Sequence, residues 1–204
     1  MNSRNLLLVL AALVALAVWQ RTHRPIPHAP GEVAPDIPVQ TALGDPPTPW
    51  RKGDYTIKPL ARISITARVL SRADYRFDRE ASLAPVDLAL GWGRMSDSQV
   101  LDKIDISQSG RFYFWRVDSY EKLPIPEREI IESSANMHLI PADRSIEREI
   151  KRVRAGEVVS FDGYLVEADR TKDWRWVSSL TRSDSGAGAC ELVWVENLTI
   201  APRH

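Results

Sequence analysis

Between residues 62 and 69 apolar and polar side chains alternate one for one. Ile63, Ile65, Ala67 and Val69 stand against Arg62, Ser64, Thr66 and Arg68. A period of two predicts a strand with one wet face. Val86, Leu88 and Leu90 repeat the pattern ahead of Gly91-Trp92-Gly93. Residues 111–117, the run RFYFWRV, are aromatic and β-prone. Residues 158–161 and 164–167 flank Asp162-Gly163 and read as a tight hairpin. Residues 174–180 and 190–200 supply two more strands. The helical period occurs in residues 143–154, where Ile146, Ile150 and Val153 form one stripe and Gly156 is placed to end it. Residues 98–104 fit a second, short helix. Residues 130–140 fit either element, and Pro141 ends it. Strands outnumber helices, so the expected class is α+β and β-rich. The expected architecture is a small, partly closed barrel of the oligonucleotide/oligosaccharide-binding (OB-like) type, with a rolled sheet as the alternative.

The first fifty residues follow neither period. Residues 6–19 are an unbroken apolar run, with Arg4 before it and Arg21 and Arg24 after it. Such a run is short for a bilayer span of about 20 residues and long enough for a secretory signal. Trp19 and Arg21 suit the interfacial end of an anchor, whereas Ala15-Leu16-Ala17 offers a cleavage site. Residues 1–24 are therefore expected to be a transmembrane anchor or a signal segment. Residues 25–49 hold Pro25, Pro27, Pro30, Pro35, Pro38, Pro46, Pro47 and Pro49 and no lysine or arginine. Proline blocks helix and interior strand, so this stretch reads as an extended linker with few contacts to the domain. The globular domain is expected over residues 50–204.

Composition adds mainly exclusions. The 27 basic and 27 acidic side chains cancel, which argues against a basic nucleic-acid footprint. The helix cations Arg144, Arg148, Lys151, Arg152 and Arg154 are interleaved with Asp143, Glu147, Glu149 and Glu157, which reads as a solvated face. A single cysteine removes disulfides, lipoprotein anchoring near the apolar run, and multi-cysteine metal sites. No phosphate-loop, HExxH, GxSxG or CxxC signature is present. No cofactor and no metal are expected.

Three segments, Gly91-Trp92-Gly93-Arg94-Met95-Ser96-Asp97, residues 135–141 (ANMHLIP) and residues 188–192 (GACEL), resemble a family of bacterial proteins with an N-terminal anchor to which no activity is attached. The resemblance implies a bacterial setting and a single domain over roughly residues 60–200, and carries over no functional residue.

The candidate chemistry is thin. Ser134, Asn136 and His138 would share one face of a strand, and with Cys190 they suit a thiol nucleophile, an imidazole base and an orienting amide. The plainer reading makes Cys190 a small buried hydrophobe, on a face shared with Leu192 and Trp194, and His138 a structural residue. Gly186 and Gly188 with Arg182 nearby could bring backbone N–H groups to an anion. Trp92 between two glycines could line a groove or plug the core. Trp174 with Trp176, and Tyr113 with Trp115, would form aromatic rows that either stack on a ligand or fill the core. The leading expectation is a non-catalytic domain on the bacterial inner membrane, facing the periplasm and binding a protein or envelope component. The alternative is a thiol-dependent hydrolase or transferase using Cys190 and His138.

Overall fold

The computed structural model describes residues 5, 6, 8–10, 24–171, 174–181 and 189–202. The expected anchor lies almost wholly outside these residues, as do Arg182, Gly186 and Gly188. Among the described residues no helix is long and apolar enough to cross a membrane.

The chain is β-rich with few helices. Two short strands, β1 (Val39–Ala42) and β2 (Trp50–Lys52), lead into the long β3 (Tyr55–Asp74). There follow β4 (Val86–Gly91), α1 (Ser98–Leu101), β5 (Asp105–Ser109), β6 (Phe112–Arg116), α2 (Glu127–Glu132) and β7 (Ser134–Pro141). The chain ends with α3 (Arg144–Arg152), β8 (Val158–Thr171), β9 (Trp174–Val177) and β10 (Glu191–Ile200). The main sheet curls into a ring. β3 pairs β4, β4 pairs β7, β10 pairs β8 and β8 returns to β3, all antiparallel, while β7 and β10 run parallel. The alternating residues Ile63, Ile65, Ala67 and Val69 point inward to meet Leu88, Leu90, Leu139, Phe161 and Val193. The stripe of α3, whose start is capped by Asp143, packs Ile146, Ile150 and Val153 on the same core.

Two local readings are corrected. Asp162-Gly163 is not a turn, because β8 runs through it without a break. Gly163 pairs with Val195 of β10, and a Cβ at this position would fall on the carbonyl of Trp194. The glycine serves close strand approach, not chain reversal. Gly163→Ala should therefore cost about 3 kcal/mol in chemical denaturation, since backbone must move to admit the methyl group. A loss under about 0.5 kcal/mol, the scale of an ordinary surface substitution, would refute the close approach. Arg111 likewise does not begin a strand. It forms with Gly110 the two-residue turn between β5 and β6, and both have positive φ, 57° and 67°.

The proline-rich segment departs furthest from expectation. The Ile26 N–H donates to Ala155 O at 2.8 Å, and the Gly93 N–H donates to Ala34 O at 2.8 Å. The Gly31 N–H bonds the Asp97 carboxylate, and the Val33 and Ala34 N–H groups share Ser96 Oγ. Ser98 Oγ donates to His28 O. Ala34 is fully buried and β1 is paired with β3. Proline excludes a helix here but neither the edge strand β1 nor docking, because the neighbouring N–H groups find acceptors at Ser96, Asp97 and Ala155. Residues 24–42 are a strap on the domain, not a free tether.

Candidate functional site

The outer face of β7 presents the polar row read from the sequence. Ser134, Asn136 and His138 are all buried there, while Met137 and Leu139 fill the ring. Burial of polar groups demands partners, and the β5–β6 hairpin provides them. Tyr113 Oη donates to Ser134 Oγ at 3.2 Å, and Ser134 Oγ donates to Ile130 O at 2.6 Å. Gln108 Nε2 donates to Asn136 Oδ1 at 2.7 Å, and Asn136 Nδ2 donates to Arg111 O at 3.0 Å.

His138 finds its partner on the neighbouring strand. Asp87 of β4 lies opposite it in register, with a side chain that is 0% exposed. Oδ2 of Asp87 is 2.9 Å from Nδ1 of His138, in contact but off the line of a hydrogen bond. Oδ1 accepts from Arg111 Nη1 at 3.0 Å. The same guanidinium bonds both oxygens of Asp78 and Ala84 O, and lies 3.8 Å from the Tyr75 ring centroid. This set of contacts holds Arg111 in a backbone region that an arginine rarely adopts.

Cys190 stands just before β10, level with Asn136, and is half-buried. Asn136 Nδ2 is 3.7 Å from its Sγ, and Arg111 O is 3.9 Å away. The expected burial fails because the face shared by Cys190, Leu192 and Trp194 points away from the ring. Leu192 and Trp194 pack there in a second apolar cluster, and Cys190 lies at the end of the strand.

A cleft of about 420 Å³ opens on this face. Its walls include Glu80, Arg111, His138, Trp174, Trp176 and Cys190. Trp174 and Trp176 are half-buried on one side of β9, and the Trp176 ring centroid is 4.6 Å from that of His138. Arg175 points the other way and pairs with Glu167 and Asp169. Trp92, by contrast, is buried in the ring core and borders a smaller cavity of about 270 Å³, which Cys190 also lines. Among the described residues no three His, Cys, Asp or Glu side chains converge as a metal-binding set.

Burial holds the Tyr113 phenol up at about 12, against the lowering effect of its bond to Ser134. Its folded value exceeds the unfolded value near 10, so the stability it contributes is present below about pH 10 and is lost as pH rises toward about 12. Phenolate absorbance should show a tyrosine that resists ionisation until that range, and Tyr113→Phe should remove it. Titration of all tyrosines near pH 10 would refute this burial.

Sequence reasoning brought Asn136, His138 and Cys190 to one face but missed Asp87 and Arg111. A signal for Asp87 existed: it is the one charge in the apolar strand Val86–Gly91. Arg111 carried none, since a positive φ at arginine depends on the tertiary contacts. Comparison with protein-family models, with curated proteins and with solved structures finds no match.

Proposed function

We propose that the chain is a non-catalytic binding domain, anchored by residues 1–24 in a bacterial inner membrane and facing the periplasm. Its cleft takes a polar envelope component with a stackable face, a saccharide above all. We read the ring as an OB-type barrel, in which β3, β4, β7, β8 and β10 are the first to fifth strands. Such barrels bind oligonucleotides and oligosaccharides on the face of strands two and three, between the loops joining strands one and two and strands four and five. Here that face is β4–β7, the first loop is residues 75–85, and the second connection carries β9. The observation that carries the reading is the position of the cleft. Glu80 of the first loop, His138 of the face and Trp176 of the second connection all line it.

Charge favours a sugar over a nucleic acid. Arg111, the cation at the floor of the cleft, is already engaged by Asp78 and Asp87. Trp174 and Trp176 offer partly open rings for stacking. The full chain in detergent should respond to N-acetylhexosamine oligosaccharides by a change in tryptophan fluorescence. Trp176→Ala should weaken binding about tenfold, the loss of one stacking contact. Unchanged affinity in Trp176→Ala would move the site elsewhere.

A thiol-dependent hydrolase or transferase remains the second reading, because Asn136, His138 and Cys190 share a face. Sγ is half-buried between the Asn136 amide, which donates to it, and the Arg111 carbonyl, which accepts from it. Under the binding-domain reading native thiol labelling should be slow. Fast labelling with a pH profile that shifts in His138→Ala would favour the enzyme.

A further inference from the structure

The chain joins the domain at a defined point. Arg24 O accepts from Arg154 Nη2 at 2.9 Å, and Ile26 is bonded to Ala155. From Trp19, where the apolar run ends, to Arg24 the chain spans at most about 17 Å even fully extended. An anchored chain would therefore hold the Arg154–Ala155 corner close to the headgroups.

Beside that corner lies a wide cleft of about 1130 Å³, lined by Pro25, Arg154 and Ala155 at the entry point and by Arg76 and Asp78 of the 75–85 loop. Lys52, Arg72, Arg76, Lys151 and Arg154 line it against Asp74, Asp78 and Glu147; Arg72 pairs with Asp74 and Lys151 with Glu147, and the lining as a whole stays net positive. On the 75–85 loop Arg76 and Arg79 are exposed, and Phe77 between them is 98% exposed. A single exposed aromatic ring is ordinary on a protein surface. This one is flanked by arginines, on a loop that lines the cleft where the anchor enters. Aromatic rings beside basic side chains suit the boundary of headgroups and acyl chains.

We propose that this face rests on the bilayer, with Phe77 in the headgroup layer and Arg76 and Arg79 against the phosphates of anionic lipid. The proposal rests on the anchor reading. It places the saccharide cleft near the membrane as well, because Glu80 belongs to the same loop.

The test uses the full chain with Cys190→Ser and Phe77→Cys, carrying an environment-sensitive fluorophore at residue 77. It is reconstituted in phosphatidylcholine vesicles with and without phosphatidylglycerol, and a headgroup-labelled quencher lipid is added. Quenching of the probe in phosphatidylglycerol vesicles is the expected result. Arg76→Gln and Arg79→Gln should each lower the ratio of docked to undocked domain about fivefold. An unquenched probe on a chain that floats with the vesicles would overturn the docking and leave the anchor standing. A chain that does not float with either vesicle would overturn the anchor, and the docking with it. Equal quenching with and without phosphatidylglycerol would overturn the role of anionic lipid.

Discussion

Replacing Asp87 with asparagine should lower the folding free energy by about 3–5 kcal/mol, the usual scale for removing one partner of a buried ion pair. Asp87 is fully buried, and its two oxygens face different groups, His138 Nδ1 at 2.9 Å and Arg111 Nη1 at 3.0 Å. Asparagine keeps the shape but not the charge. Arg111, with a side chain only 13% exposed, would then depend on Asp78 at the edge of the cluster. The turn at Gly110-Arg111 would lose part of what holds its left-handed backbone, and Asn136 would lose its acceptor at Arg111 O if the turn moved. Chemical denaturation measures the loss. The coupling should appear in a double-mutant cycle with Arg111→Gln, in which the two losses are far from additive. A loss under about 1 kcal/mol, that of an exposed pair, would mean that the cluster contributes little to the fold.

The strap gives the second large effect. Deleting residues 25–36 removes the bonds of Ile26, Gly31, Val33 and Ala34 and the acceptor of the Gly93 N–H. A polar group left without its partner on the domain costs about 1–3 kcal/mol, so losing the acceptor of the Gly93 N–H and the buried Ala34 should lower stability by about 2–4 kcal/mol. Gly156→Ala should act in the same direction. Gly156 has φ of +85°, and a Cβ there would meet the backbone of Ile26. The methyl group would lift the strap at its first contact and place alanine in the left-handed region. Denaturation midpoints and protease cleavage within residues 25–36 measure both. A freely moving linker would leave the midpoint unchanged and be cut as quickly in the native chain as in Gly156→Ala.

What was legible in the sequence follows from how local its cause is. The alternation over residues 62–69 and the stripe of Ile146, Ile150 and Val153 encode strand and helix because burial on one face sets their period. Ser134, Asn136 and His138 share a face for the same reason. Closure of the ring is less local, since it needs the long β3 to pair with both β4 and β8. Asp162-Gly163 misled because glycine at a turn and glycine at a close strand approach look alike along one chain. The strap was illegible because its partners lie far off in sequence, 66 residues for Gly31 and Asp97 and 62 for Ala34 and Ser96. Proline content reports what a segment cannot form, and says nothing about the surface that receives it.

An amide chemical-shift map of the chain with a bound N-acetylhexosamine oligosaccharide tests the central claim most directly. The shifts are expected to gather at Glu80, Arg111, His138 and Trp176, on the four elements that line the cleft. Shifts confined to the basic cleft beside Pro25, or none at saturating saccharide, would contradict it.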